Sequence, residues 1–186
     1  MQQLTKHVYT ETEIRGCDPS MVLTSEGAVF IDTAQWITNL EQMISFAEEK
    51  AGSIKYLINT ESHIDHIFGN HWLKKAGATI IGQEKILDTF FKIPSSFNMT
   101  THDYNVDIIR RQDPQALDRM PSESDYIVAK PDITFSQRLT LKLGEHTFEC
   151  VHTPGHSPEQ TSVYVPEERC VFVGDNIFND CQIWLH

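Results

Sequence analysis

The sequence lacks any apolar run long enough to cross a bilayer, which takes about 20 residues in a helix. Its first ten residues, MQQLTKHVYT, have neither the basic segment nor the apolar segment of a secretory signal peptide. We therefore expect a cytoplasmic protein without a membrane partner, unless a leader has already been removed.

Cysteine is scarce, and its spacing does not suit metal or redox chemistry. The four cysteines are Cys17, Cys150, Cys170 and Cys181. No two of them have C-x-x-C spacing, which argues against a thiolate zinc knuckle and a thioredoxin-like redox site. Cys150 and Cys170 lie within apolar, strand-like runs, so we expect them to be buried structural thiols.

The sequence also has few positively charged residues and lacks several catalytic motifs. The chain has 15 Lys and Arg against 26 Asp and Glu, a formal net charge of −11. A chain this acidic repels a phosphate backbone, so we expect no nucleic-acid partner. The sequence contains no G-x-S-x-G elbow, which disfavours a serine hydrolase. It contains no G-x-G-x-x-G motif or P-loop either.

The first half of the 186 residues predicts alternating strands and helices in one domain. The run MVLTSEGAVFIDT, residues 21–33, is typical of a hairpin. A helix is predicted over about 37–51, with a capping box between Thr38 and Glu41 and with Gly52 ending it. A buried strand SIKYLINT, a short helix over 70–76, a strand ATIIG and a helix over 84–91 follow. This order indicates a mixed α/β sheet covered by helices.

The second half begins with a segment of different character. Four prolines punctuate a polar stretch over 94–131, which we interpret as an insertion with one or two short helices. It either covers a pocket or only decorates the surface. From Ile133 onward strands return, separated by turns at Gly144-Glu145 and at 166–169. This part is predicted to be a strand meander.

The stretch NTESHIDHIFGN, from Asn59 to Asn70, raises the question of metal binding. It carries four potential ligands within six positions, namely Glu61, His63, Asp65 and His66. In an extended segment, positions i and i+2 point the same way, so Glu61 and His63 can face one metal ion. If the chain then turns into a helix, Asp65 and His66 are redirected toward a second ion.

Two further loops could complete such a site. HTPGHSPE places His152 and His156 on a Pro/Gly turn after a strand, and VFVGDNIF places Asp175 just beyond another strand. Ligand-bearing loops collect at strand ends in sheet-based folds. Two ions bridged by a carboxylate could share one hydroxide, a common arrangement in hydrolases.

These motifs resemble, in the right order, those of the metallo-β-lactamase fold superfamily. The turn is similar to the H-x-H-x-D-H motif, TPGHS to the next ligand loop, VGD to the loop with the bridging aspartate, and FIDT to the usual opening. The resemblance covers about Met21 to Asp175 and implies a four-layer αββα sandwich with the metal ions at one edge of its two sheets. An aspartate at position 175 is closer to the glyoxalase II and lactonase branches than to β-lactamases that use cysteine there.

The resemblance also implies a role for each matching residue. Glu61, His63 and His156 would bind a first metal ion. Asp65 and His66 would bind a second, Asp175 would bridge the two, and Asp65 would also orient the attacking hydroxide. Apart from the resemblance, we expect Asp32 to support the ligand loops through hydrogen bonds without being a ligand, and His152 to pack or hydrogen-bond near the site.

The sequence departs from the family at the leading histidine of the motif, where it has Glu61. A glutamate oxygen binds zinc at a distance similar to that of an imidazole nitrogen. Because it is harder and charged, it should favour Mn²⁺ or Fe²⁺ more than histidine would. We expect two divalent ions, zinc first, with manganese or iron as the alternatives that Glu61 opens. Alternatively, Glu61 is no ligand and the first site is weak.

The chain also stops early for this family. Members continue past the bridging aspartate to a final histidine ligand, whereas only 11 residues follow Asp175 here, and His186 has a different context. Part of the second sheet and its outer helix would be missing. A truncated longer protein, completion by a partner subunit and a degenerate relative all fit, and truncation is favoured. The exposed sheet edge would favour self-association.

Three functions follow as hypotheses. The first is a metal-dependent hydrolase that uses a metal-bound hydroxide on the carbonyl of a small-molecule ester, thioester, lactone or lactam. The second is an iron-dependent oxidoreductase or dioxygenase of the same fold. The third is a non-catalytic fragment that binds one metal ion or none.

Overall fold

The computed structural model describes residues 1–90 and 97–178, which form two β-sheets packed face to face with helices outside the first. The first sheet contains β1 (Gln2–Gln3), β2 (Val8–Thr10), β3 (Ser20–Thr24), β4 (Gly27–Ile31), β5 (Ile54–Ile58), β6 (Thr79–Gln83) and β7 (Ile133–Phe135). The second contains β8 (Arg138–Leu143), β9 (His146–His152), β10 (Thr161–Val165) and β11 (Cys170–Phe172). The helices are α1 (Ile37–Ala51), α2 (Ile64–Ile67), α3 (Asn70–Lys75), α4 (Ile86–Thr89) and α5 (Thr101–Gln112).

The first sheet changes from antiparallel to parallel pairing at β4. Strands β1 to β4 pair in chain order and antiparallel, whereas β4, β5, β6 and β7 are mutually parallel neighbours. Parallel neighbours need crossover connections, and α1 and then α2 with α3 supply the first two. The carboxyl ends of β4 and β5 therefore lie at the same edge of the sheet. The loops that follow these two strands carry acidic and imidazole side chains.

Two apolar layers hold the molecule together. Between the sheets, Val29, Ile58, Phe148 and Val163 are buried in one cluster. On the other face of the first sheet, Phe30 and Leu57 pack with α1 in a second cluster. Strand β4, GAVFI, is buried at all five positions because both of its faces are covered.

The second sheet is an antiparallel meander, as the sequence predicted. Its strand β8 alternates between exposed and partly buried residues, so its outer face is polar and uncovered by helices within residues 1–90 and 97–178. The described residues thus form three layers, α-β-β. The predicted α/β class, with two sheets packed face to face and helices outside the first, is confirmed.

Helix α1 has the predicted bounds, but its predicted N-terminal cap is wrong. Gly52 ends the helix with a left-handed backbone, φ 76°. At the other end, Trp36 occupies the cap position without a side-chain hydrogen bond. The backbone N–H and the hydroxyl of Thr38 instead donate to the carboxylate of Asp113, both at 2.9 Å. A distant carboxylate satisfies the helix terminus, so the local capping box is not needed.

The segment after β6 differs in part from the prediction. The helix predicted over 84–91 is one turn, α4, because the Glu84 N–H continues the strand pairing by donating to the carbonyl of Phe135. Phe91 lies outside the described residues. Helix α5 and a 3₁₀ turn, Pro114–Arg119, supply the two short helices expected in 94–131, of which 94–96 are not described. The assignment of 94–131 as an insertion stays a prediction.

Strand β11 lies at the edge of the second sheet, with Val171 57% exposed. Self-association through this edge stays a prediction. None of the described helices has the length and apolar character needed to traverse a bilayer.

Candidate metal centre

The loop after β5 is fastened at both ends by a pair of buried asparagines. The Asn59 amide donates to the Asn70 side-chain oxygen at 3.1 Å, and the Asn70 amide donates back at 2.9 Å. Both residues are fully buried. This reciprocal pair fixes the start and end of the segment that carries Glu61, His63 and His66.

Within the loop, the backbone changes from extended to helical at His63. His63 has φ −63° and ψ 150°, and α2 begins at the next residue. Glu61 and His63 therefore precede the helix, whereas His66 lies in its last turn. The backbone therefore changes direction between Glu61 and His63 on one side and His66 on the other.

A first group of potential ligands consists of Glu61, His63 and His156, whose ligand atoms lie within 4.8 Å of one another. Glu61 Oε2 contacts His63 Nδ1 and lies 3.6 Å from His156 Nε2. His156 Nε2 is 3.1 Å from His63 Nδ1. Two imidazoles and one carboxylate thus converge on one point from two separate loops.

A second group consists of Glu61, His66 and Asp175. His66 Nε2 lies 3.3 Å from Asp175 Oδ1 and 3.6 Å from Glu61 Oε1. The other Asp175 oxygen is 3.6 Å from His156 Nε2. Both carboxylates therefore extend across the two groups, so Glu61 is placed to bridge as well as Asp175.

Asp65 is the predicted ligand that does not join these groups. Its carboxylate lies against Gly16, where an added Cβ would be 3.0 Å from Asp65 Cβ and 3.3 Å from its Oδ2. No cluster of potential ligands among the described residues includes it. Its role as ligand and orienting group stays a prediction. His186 lies outside the described residues.

The supporting residues include one predicted from the sequence and two that were missed. Asp32, as predicted, accepts a hydrogen bond from His66 Nδ1 at 2.9 Å. Asn176 accepts from the His156 N–H at 2.9 Å, and Glu159 accepts from the Ser62 N–H and hydroxyl at 3.1 and 2.6 Å. Asn176 and Glu159 each lie within three positions of a predicted ligand. This closeness in sequence is the signal that could have identified them as supporting residues.

His152 behaves as predicted. Its Nε2 donates to the carbonyl of Pro158 at 2.8 Å, which shapes the loop that carries His156. Two aromatic residues close to the ligand loop, Phe68 and Trp72, belong to the apolar core. Phe68 is fully buried in an apolar cluster, and Trp72 packs against it with ring centroids 5.1 Å apart.

Asp175 reaches the centre because Gly174 lets the backbone pass close to the side chains of Gln160 and Thr60. Gly174 has φ 49°, and a Cβ there would overlap the Gln160 amide nitrogen and lie 2.5 Å from the Thr60 hydroxyl. Only glycine combines this left-handed conformation with so little space. The V-G-D order is thus a steric requirement of the site.

The electrostatics of the centre favour positive charge. Contact with Glu61 raises the pKa of His63. Burial opposes the protonation of His66, but Cys17, Asp32 and Asp175 outweigh it and raise the pKa well above its usual value. Burial likewise raises the pKa of Asp175, yet His66 and His156 outweigh it, and the pKa is lowered. The same field would attract a cation.

The donor set fits divalent metal ions. Both carboxylate oxygens of Glu61 are buried and accept no well-formed hydrogen bond among the described residues. His66 Nε2 is likewise buried without one. Buried polar atoms without partners cost free energy, which a shared cation would offset. Imidazole and carboxylate are ordinary ligands of zinc, manganese and iron.

A cleft of about 440 Å³ opens beside the centre. Its walls include His66 and Asp175 on the polar side, and Val171, Ile177 and Phe178 on the apolar side. The side chain of His63, on the first group, is 40% exposed. The cleft therefore reaches the second group, and the first group is open to solvent at His63.

Comparison with known proteins agrees with this geometry. Residues 15–186 match the family model described as the metallo-beta-lactamase superfamily. The chain therefore belongs to the metallo-β-lactamase superfamily. The solved structure of a metallo-beta-lactamase family protein from Thermus thermophilus superimposes with a TM-score of 0.65 at 16% identity, over 97% of this chain and 63% of that one. This likeness supports the fold.

Two curated relatives point to a particular branch. The chain is 30% identical over 138 residues to the hydroxyacylglutathione hydrolase of Pelagibacter ubique, covering 74% of this chain and 42% of that protein. It is 28% identical over 142 residues to glyoxylase B2 of Dictyostelium discoideum, covering 74% and 40%. These matches support the glyoxalase II-like branch. The chain spans about two fifths of the length of the curated relatives it matches.

Proposed function

We propose that this protein is a metal-dependent hydrolase that uses a metal-bound hydroxide to attack the carbonyl carbon and cleave the acyl bond of a small ester, thioester, lactone or lactam. The observation that carries the proposal is the convergence of Glu61, His63, His66, His156 and Asp175 from three loops. The carboxylates of Glu61 and Asp175 each extend toward histidines of both the first and the second group. Such a set suits two divalent ions, zinc first and manganese or iron next.

The residues of the candidate centre would have different roles in binding the cations and positioning the reacting groups. Glu61, His63 and His156 would hold one cation, and His66, Asp175 and a Glu61 oxygen the other. When bound, the cations would ionise a water molecule for attack and polarise the substrate carbonyl. Asp32 would hold the His66 ring so that Nε2 faces the centre. Asp65 remains the candidate to orient the attacking water.

A thioester is the first substrate class to test. The relative from Pelagibacter ubique is named for the hydrolysis of hydroxyacylglutathione, a thioester. The cleft beside Asp175 and His66 has apolar walls that could accommodate an acyl chain. The cleavage of an acyl-glutathione thioester, a lactone and a β-lactam should be compared with the protein loaded with zinc, manganese or iron.

The decisive comparison uses matched histidine variants. His66→Ala removes a predicted ligand, whereas His102→Ala removes a histidine of the α5 segment that donates to the carbonyl of Pro121. We expect thioester turnover in the native protein and in His102→Ala, and loss of at least about a hundredfold in His66→Ala. Absence of turnover with all three metals and all three substrates would instead support the hypothesis of a non-catalytic fragment.

An iron-dependent oxidoreductase is the second candidate, and one observation favours it. Glu61, His63 and His156 form a group of two histidines and one carboxylate, the ligand set of many non-haem iron oxygenases. Iron should be loaded without air, and oxygen consumption then followed with thiol or persulfide substrates. If the protein retains only zinc and turns over a thioester, the oxidoreductase hypothesis is rejected.

A further inference from the structure

A second cluster of metal-ligating side chains lies at the opposite end of the sandwich from the candidate centre. His7 precedes β2 of the first sheet, and His146 begins β9 of the second. Glu168 ends the 3₁₀ turn, Pro166–Glu168, that connects β10 to β11. Because β9 runs from His146 to His152, the cluster is separated from His156 by the length of that strand, about 20 Å.

The three side chains meet at one oxygen atom. Glu168 Oε1 lies 2.7 Å from His7 Nδ1 and 2.8 Å from His146 Nε2. The two imidazole rings are 4.9 Å apart between centroids and nearly perpendicular, at 79°. The other oxygen of Glu168 accepts a hydrogen bond from the Thr5 hydroxyl. Thr5 thereby fixes the carboxylate so that Oε1 faces both histidines.

Burial sets this cluster apart from an ordinary surface ion pair. The side chains of His146 and Glu168 are 1% and 8% exposed, and that of His7 is 27% exposed. His146 Nδ1 is buried and has no hydrogen-bond partner among the described residues. A carboxylate oxygen of Glu145 lies 3.5 Å from this nitrogen.

A hydrogen-bonded network of neutral imidazoles leaves His146 poorly satisfied. If neutral His7 and His146 both donate to Glu168, His146 Nδ1 keeps a buried lone pair with no donor, which costs free energy. If Nε2 instead binds a cation, the proton moves to Nδ1 and faces Glu145. A ligand histidine whose other nitrogen donates to a carboxylate is a common arrangement in metal sites.

We propose that His7, His146 and Glu168 bind one divalent transition-metal ion, with zinc the best match, and that this ion joins the two sheets. Two imidazoles and one carboxylate form a zinc ligand set, with a water molecule in the fourth position. Zinc bonds of about 2.0 Å place tetrahedral ligand atoms about 3.3 Å apart. The two N–O separations therefore need to widen by about half an ångström, and the partial exposure of His7 leaves room for the water.

The test is zinc content and zinc-dependent stability in untagged protein. The native chain, His7→Gln, Glu168→Gln and the control His102→Gln are equilibrated with zinc, freed of loosely held metal, and analysed by mass spectrometry of the metal. We expect His7→Gln and Glu168→Gln each to hold one zinc ion fewer per chain than the native protein and His102→Gln. They should also lose part of the zinc-dependent rise in melting temperature. Equal zinc content in all four proteins overturns the proposal.

Anomalous diffraction at the zinc edge tests the site without any substitution. A peak between His7 Nδ1 and His146 Nε2 in crystals of the native protein supports the proposal, whereas zinc at the candidate centre alone overturns it. Glu145→Gln provides a further measurement, since it removes the carboxylate facing Nδ1 but no ligand. We expect it to weaken zinc binding at this site roughly tenfold or more.

Discussion

The imidazole of His66 lies between the carboxylates of Asp32 and Asp175. Its Nδ1 is 2.9 Å from Asp32 Oδ2, and its Nε2 is 3.3 Å from Asp175 Oδ1. Asp32 is itself fixed by the backbone N–H and the hydroxyl of Thr60, at 2.7 and 2.6 Å. The ring is thus held from one side by a support group so that its other nitrogen faces the candidate centre.

Replacing that support group should weaken cation binding without removing a ligand. In Asp32→Asn, an amide N–H can oppose the Nδ1–H of His66, so the ring loses its fixed tautomer and orientation. We expect the affinity of the second cation to fall roughly 10- to 100-fold. Competition with a chromophoric chelator measures the change, and the exposed Asp88→Asn is the control. An affinity equal to that of the control would show that His66 needs no such support.

The second prediction concerns Glu61, the departure from the family motif. Glu61→His should raise zinc affinity at the first group, because it restores the histidine that the family motif has at this position and imidazole is a standard zinc ligand. Glu61→Gln should lower the affinity for all three, because it removes a buried negative charge that faces three histidines. Competition with a chelator measures both, and Glu13→Gln is an exposed control. Unchanged zinc affinity in both variants would place Glu61 outside the ligand set.

The third prediction concerns the carboxylate that caps α1 from a distance. Asp113→Ala removes the acceptor for the Thr38 N–H and hydroxyl, and we expect it to lower the free energy of unfolding by about 1–2 kcal/mol. Urea unfolding followed by circular dichroism measures the loss. The exposed Asp118→Ala should change stability far less. Equal losses in the two variants would contradict a capping role.

The fourth prediction concerns thiol reactivity. Burial raises the pKa of Cys150 to about 12 from its usual value near 9. At pH 8 the folded protein should therefore carry about a thousandfold less thiolate at Cys150 than an exposed cysteine carries. Alkylation followed by peptide mass mapping should leave Cys150 unmodified until urea unfolds the chain. Its rapid modification in the folded state would contradict burial between the sheets.

The elements that local pattern predicted well are those with strong periodicity and clear ends. Helix α1 has the predicted bounds because its apolar positions recur at helical spacing and Gly52 ends it. The hairpin of β3 and β4 and the meander of β8 to β11 follow alternation and turn residues. The length of helix α4 was overestimated, because Glu84 pairs with Phe135. Phe135 lies in a strand about fifty residues further along the chain.

The sequence by itself determined the fold class, the family resemblance and the residues of the candidate centre, because ligand types and turn residues are local properties of the chain. Tertiary structure decided which side chains meet. It placed Glu61 across both groups, directed Asp65 toward Gly16 and supplied Asp113 to the end of α1. It also brought His7, His146 and Glu168 together from both sheets. Such meetings depend on which distant strands become neighbours and on where their loops meet, and local sequence patterns do not specify either.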